Sequence, residues 1–142
     1  MPLARVFAEL AEPERFLGLQ PLLVEVREVA APPGARAFDA VERVPLLGVP
    51  VRSGLHVELR PDRDARRVAF ATRAALGIRL RGGFSLEALA TDRTAVRESV
   101  AIECPRALRA FVLARARDAQ RALLANLKQR LEGSDRQAAH SG

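Results

Sequence analysis

Residues Thr94–Leu131, TAVRESVAIECPRALRAFVLARARDAQRALLANLKQRL, change their hydrophobic period once, at Cys104-Pro105. Up to Glu103 the apolar residues Val96, Val100 and Ile102 keep to one side of an alternating pattern, the signature of a half-buried strand. From Pro105 to Leu131 there is no glycine and no further proline, and the Ala, Leu, Arg and Gln content favours a long helix with proline in its first turn. At about 100° per residue, Leu108, Phe111, Val112, Ala119, Ala122 and Leu123 share one broad face, with Arg117, Arg121 and Lys128 opposite. Gly133-Ser134 is the expected stop. Residues 1–133 then make a single domain, and residues 134–142 read as a small, polar, disordered tail.

Upstream of that junction the chain is a series of alternating segments. Leu22, Val24 and Val26 alternate with Leu23, Glu25 and Arg27, and Ala31-Pro32-Pro33-Gly34 turns the chain. Arg36–Leu47 and Val51–Arg60 are the next extended stretches, separated by Gly48-Val49-Pro50. In the second of them Ser53, Leu55, Val57 and Leu59 face one way, and Arg52, His56, Glu58 and Arg60 the other. Arg67–Ala74 carries Val68, Phe70 and Thr72 on one side, and Leu76–Leu89 carries Leu76, Ile78, Leu80, Phe84 and Leu86. Gly82-Gly83 inside that last run fits the bulge or sharp bend of a curling sheet. Before the strands, Leu3, Val6, Phe7 and Leu10 form a short amphipathic helix behind Pro2, Glu12-Pro13 breaks it, and Phe16–Pro21 reads as a second helical turn or loop.

This order predicts an α+β domain in which a curved antiparallel β-sheet wraps around the long C-terminal α-helix, with two short helical segments at the N-terminus. Such a sheet wraps too far to close down on one helix of Ala and Leu, so an apolar space remains between them. The composition agrees with a domain of this size. A chain of 142 residues with 49% hydrophobic residues and one cysteine builds its core without disulfides or metal. The net charge of +6 and sequence pI of about 11.2 raise the question of an anionic partner. A nucleic-acid binder would cluster its basic residues among exposed aromatics, whereas these arginines are spread along the chain among Asp and Glu, so no nucleic acid is expected. No signal sequence and no transmembrane run is present, and a cytoplasmic protein is the expectation. Two histidines and one cysteine without close spacing argue against a metal site, and no cofactor is expected.

The stretch Pro2–Leu10 with Glu12-Pro13-Glu14-Arg15-Phe16, the later Pro21, the Thr94-Ala95-Val96 opening of the last strand and the Pro105-initiated helix together resemble the START-like superfamily. This is the SRPBCC group of polyketide cyclase/dehydrase, lipid-transport and pollen-allergen-like proteins. The resemblance spans nearly the whole chain and rests on element order and apolar spacing, with no catalytic signature. It implies a helix-grip fold with a hydrophobic cavity. Members of the group begin with a strand before the first helix, whereas here the helix starts at Pro2. Either the coding start lies upstream of Met1 or the usual first strand is missing, and the exposed ladder groups of the second option favour the first.

Chemistry-bearing residues are few. Glu42 falls in step with Phe38, Ala40 and Val44, and Glu98 lies between Val96 and Val100, so both carboxylates point inward. Arg115 lies two helical turns after Leu108, near the same apolar face, as does Asn126. An unpaired buried charge is strongly unfavourable, so Glu42 or Glu98 is expected to pair with Arg115 as a polar anchor. The same three residues are the catalytic candidates if the cavity does acid–base work. The apolar wall is read as Phe38, Val44, Leu55, Val57, Phe70, Leu80, Phe84, Leu86, Val96, Val100, Leu108, Phe111, Val112 and Ala119. Cys104 has no neighbouring base and reads as a structural thiol.

Three functions follow from this pattern. A carrier of a hydrophobic small molecule (lipid, isoprenoid or polyketide-like) requires no reaction. A cyclase/dehydratase-type enzyme would use a cavity acid or base, and the absence of tyrosine and of a cavity histidine weighs against it. A protein-docking role would use the basic outer face formed by Arg117, Arg121 and Lys128, which a solvated surface explains equally.

Overall fold

The structure, a computed structural model, describes residues 2–17, 19–20, 22–46 and 48–140. Helix α1 (Leu3–Ala11) and a 3-10 turn (Pro13–Phe16) precede six strands: β1 (Leu23–Val29), β2 (Arg36–Leu46), β3 (Val49–Asp62), β4 (Arg67–Ala74), β5 (Arg79–Ala90) and β6 (Arg93–Glu103). A second 3-10 turn (Ala75–Gly77) joins β4 to β5, and a third (Arg106–Leu108) leads into helix α2 (Arg109–His140). The strands pair in sequence order, each antiparallel to the next, so β1 and β6 are the edges of the sheet. This is an α+β architecture, a curved antiparallel sheet with a long C-terminal helix, consistent with a helix-grip fold.

Alternation places the sides of β2, β3, β4 and β6. Phe38, Val57 and Leu59 are buried and Val68 is fully buried, while Arg60, Arg67 and Ala69 on the other side are exposed and His56 and Glu58 half-buried. The core lies at one end of the sheet. There Val6, Phe7 and Leu10 of α1 and Leu19 pack with Leu59, Val68, Leu86 and the α2 residues Leu123, Leu127 and Leu131. Each such side chain stabilises the fold by about 1.5–3 kcal/mol relative to exposure.

Five local expectations are corrected. In β1 the register shifts between Leu23 and Glu25, so Leu23 and Val26 pack on the core while Val24 is exposed. One extra residue flips every side chain before it, which strict alternation from Leu22 cannot anticipate. The β2–β3 turn lies earlier than Gly48-Val49-Pro50: Pro45 pairs with Pro50 and Leu46 with Val49, and Gly48 takes the positive φ (80°) the tight turn needs. Leu76 belongs to the β4–β5 turn instead of strand β5, with φ 62° and 72% exposure. Gly82-Gly83 makes no bulge, since β5 keeps its register with both neighbours there. Its glycines serve close approach instead: a Cβ on Gly82 would lie 1.9 Å from the Ser99 carbonyl oxygen. Finally, α2 continues through Gly133 to His140, because one glycine without a left-handed cap or a following proline costs a helix only about 1 kcal/mol. Of the segments read from sequence, Gly18, Pro21, Leu47 and the last two tail residues lie outside the described residues.

One polar constellation fixes the N-terminal segments to α2. Glu9, 9% exposed, accepts hydrogen bonds from Arg15 (2.5 Å) and Arg130 (2.8 Å). Arg130 also donates to the carbonyls of Arg15 (2.8 Å) and Leu17 (2.9 Å), and the Asn126 amide donates to the Leu19 carbonyl (3.1 Å). Burial raises the proton affinity of Glu9, but the hydrogen bonds and charges of Arg130 and Arg15 outweigh it, and the carboxyl is held below its usual range. Asn126, placed by sequence near the cavity candidates, serves this clamp.

Candidate functional site

Where α1 does not reach, the interface between sheet and helix stays open. A cavity of about 370 Å³ lies between the concave face of the sheet and the first half of α2. The inward-facing residues of the strands build one side of it. Phe38, Glu42 and Val44 come from β2, Val51 to Leu59 from β3, Phe70 and Thr72 from β4, Leu80 and Phe84 from β5, and Glu98 and Val100 from β6. Phe111, Val112, Arg115, Ala116, Ala119, Gln120 and Leu123 of α2 form the roof. Phe16 and Phe38 meet with ring centroids 5.9 Å apart, and Phe70 and Phe84 at 5.5 Å, so aromatic pairs line the inner end.

The mouth lies at the end away from α1. The β2–β3 hairpin tip, the β4–β5 turn and the start of α2 converge there, and Val51, Leu76 and Phe111 line the cavity while remaining exposed. Leu76 holds a left-handed backbone conformation that costs a non-glycine residue about 1–2 kcal/mol. Strain of this kind persists where the surroundings over-determine it, and here it coincides with an apolar rim.

Of the wall residues read from sequence, Phe38, Val44, Leu55, Val57, Phe70, Leu80, Phe84, Val100, Phe111, Val112 and Ala119 line the cavity, and Leu86, Val96 and Leu108 do not. Leu86 and Val96 pair with each other across β5 and β6 at the end filled by the core, and Leu108 belongs to the 3-10 turn ahead of α2. Reading strand faces cannot distinguish wall from core along one face, because the difference is set by how far α1 extends. Leu23 also lines the cavity, a consequence of the β1 bulge, and Leu22 lines it from just ahead of β1. Gln120 is a lining residue that sequence reasoning misses, since a glutamine on a helix flank carries no distinguishing signal.

All three candidate charged residues are brought to the cavity: Glu42, Glu98 and Arg115. The expected ion pair is not formed at contact distance among the described residues. The Arg115 guanidinium lies over the Phe111 ring, 5.4 Å from its centroid. Burial raises the proton affinity of Glu42, and the charge of Arg115 partly opposes the rise. Glu98 has no such compensation: burial alone pushes its carboxyl up to about 7, and its Oε2 is buried without a hydrogen-bond partner. The Gln120 side chain donates its amide to the Glu98 backbone carbonyl (3.0 Å) instead. Among the described residues no three His, Cys, Asp or Glu side chains cluster as metal ligands.

A second hollow, about 510 Å³, lies along the free edge of β6 against the start of α2. It is lined by Glu103, Cys104, Arg106 and Arg109 as well as Val100, Ile102 and Leu113, and it holds no buried unpaired group among the described residues.

The sequence matches no protein-family model and no curated protein. Among solved structures, the chain is similar to the crystal structure of TTHA0849 from Thermus thermophilus, with a TM-score of 0.72 at 19% identity, over 94% of this chain and 91% of that one. The likeness is one of fold. Among the described residues no helix is long and apolar enough to cross a membrane.

Proposed function

We propose that this protein binds and carries a hydrophobic small molecule, lipid, isoprenoid or polyketide-like, in the cavity between sheet and α2. The observation that carries this reading is a largely apolar 370 Å³ hollow in a place where the same interface is solid a few residues further along. Removing apolar surface from water at about 25 cal/mol per Å² supplies the driving force. The exposed apolar rim of Leu76, Val51 and Phe111 supports entry at that end. The resemblance to START-like proteins supports the same reading.

Native mass spectrometry of the purified protein with organic extraction, together with uptake of the neutral dye Nile red, tests it. Uptake by the native chain and its loss in Ala119→Phe, which fills the roof, is the expected result. Equal uptake by both proteins overturns the proposal.

One observation favours a second reading, acid–base catalysis of the cyclase/dehydratase kind. Glu98 sits in the cavity with its proton affinity moved toward neutrality, where a carboxyl can both give and take a proton. Turnover of a synthetic poly-β-ketone that is lost in Glu98→Gln distinguishes catalysis from carriage.

A further inference from the structure

We infer that Glu98 is the polar anchor at the inner end of the cavity, and that it selects ligands ending in a neutral oxygen, an alcohol or a ketone, over fatty-acid carboxylates. The inference rests on the carriage reading above and assigns it a ligand class.

Position comes first. Glu98 lies opposite Phe84 on β5, beside the Phe70–Phe84 pair and below the roof residues of α2. Glu103, where β6 ends at the mouth, is five residues further on, which at ~3.3 Å per residue places the Glu98 backbone about 17 Å inside. An elongated apolar molecule entering at the Leu76 and Phe111 rim therefore meets a largely apolar wall, with Glu42 and Arg115 among its lining residues, and the Glu98 carboxyl at its far end.

Satisfaction comes second. Buried polar atoms are nearly always hydrogen-bonded, and Oε2 of Glu98 is the exception among the described side chains. Its own backbone carbonyl takes the Gln120 amide. A partner inside the cavity is what the side chain lacks.

Charge comes third. The titratable groups lining the cavity are Glu42, Glu98 and Arg115, and Arg115 acts electrostatically on Glu42. No cation offsets the burial of Glu98, so its neutral, protonated form is favoured, and a carboxylic acid donates readily to a hydroxyl or carbonyl oxygen. A ligand carboxylate would instead bring a further negative charge into a cavity whose one guanidinium, Arg115, already acts on Glu42. An ammonium would require a buried ion pair whose desolvation consumes most of its attraction.

The test is displacement of Nile red by decan-1-ol, decan-2-one, decanoate, decylamine and decane, measured at pH 6 and pH 8 on the native chain, Glu98→Gln and Glu98→Leu. The alcohol and ketone are expected to weaken about five- to tenfold in Glu98→Leu, the scale of one hydrogen bond to a buried group. The ketone should stay within about twofold in Glu98→Gln, which keeps a donor, and decane should bind Glu98→Leu at least as well as the native chain. Decanoate should bind the native chain more weakly than decan-1-ol and gain in Glu98→Gln at pH 8. If decane displaces the dye from every variant while decan-1-ol does not distinguish native from Glu98→Leu, the anchor is refuted and the carriage reading stands. Decanoate or decylamine binding the native chain more tightly than the alcohol refutes the ligand class. If the folded native chain takes up neither dye nor decane, both readings fall.

Discussion

Replacing Glu98 by glutamine removes a titrating group and keeps the shape of the side chain, so its effect on stability should depend on pH in a way that can be worked out in advance. In the folded protein the carboxyl is pushed up to about 7 by burial, against an ordinary value of 4.5. The native state therefore holds the proton to higher pH than the unfolded chain. Folding takes up a proton between those two values, and stability falls as pH rises through that window. Below 4.5 both states are protonated and the group contributes nothing. Above 7 both are ionised and the penalty is complete. In a dry cavity the shift corresponds to about 3 kcal/mol, and water entering the open mouth screens it to about 1–2 kcal/mol. Glu98→Gln has no proton to lose, so its stability curve lacks this fall. Glu42, whose carboxyl is also raised by burial, titrates in both proteins and cancels in the difference. Urea denaturation at half-unit intervals from pH 4.5 to pH 8 measures the effect. The two proteins should be nearly equally stable at pH 4.5, and Glu98→Gln should gain about 1–2 kcal/mol by pH 8, a midpoint shift of about 1 M urea. Parallel curves with a constant offset would show that Glu98 is solvated and not an unpaired carboxyl in the cavity.

Other perturbations have equally definite outcomes. Arg130→Ala leaves Glu9 buried and removes the hydrogen bonds to the Arg15 and Leu17 carbonyls, and should cost about 2–3 kcal/mol in chemical denaturation. Glu9→Gln acts on the acid side: a carboxyl held below its usual range stabilises the fold above its unfolded value and loses that contribution as pH falls. The variant's acid limb should therefore be flatter than the native one in an acid titration followed by circular dichroism. Gly82→Ala should destabilise by more than about 2 kcal/mol, because the new methyl group meets the Ser99 carbonyl at 1.9 Å. Gly83→Ala, whose nearest contact is the Val68 carbonyl at 3.0 Å, should cost less in the same assay. Leu76→Gly relieves a left-handed backbone and should raise the thermal midpoint slightly, while the lost apolar rim weakens Nile red uptake.

Much of the sheet is legible in the sequence because β3, β4 and much of β6 alternate between a covered and a more exposed face. Glu42 and Glu98 are placed inward on that basis alone, by their step with Phe38 and Val44 or with Val96 and Val100. Legibility stops where one residue changes the count, as at the Leu23–Glu25 bulge, or where a turn takes an apolar residue, as at Leu76. It stops again where the decisive relation is tertiary. Glu9 and Arg130 are far apart in the chain, and nothing in either local sequence announces their hydrogen bond. The expected partnership of Glu98 with Arg115 fails for the same reason: a shared face does not give a distance, and Arg115 lies over Phe111 instead.

The division of the sheet–helix interface into core and cavity follows from two features acting together. At one end α1 and Leu19 supply large side chains that meet Leu123, Leu127 and Leu131, and the space closes. At the other end the roof presents Ala116 and Ala119 over a wall that includes Phe70, Leu80 and Leu55, and α1 contributes no lining residue. Close packing is the normal state of a protein interior, and leaving a hollow of this size forfeits contacts that larger side chains would make. Leucine at the two alanine positions would recover part of that loss, so the small residues favour an open interior at the expense of stability. If Ala116→Leu combined with Ala119→Leu gives a protein that is more stable in urea and no longer takes up Nile red, the hollow is held open against the packing interest of the fold. A double variant that unfolds, while the single Ala116→Leu variant packs no better than the native chain, would mean instead that the roof is already as close to the sheet as its backbone allows.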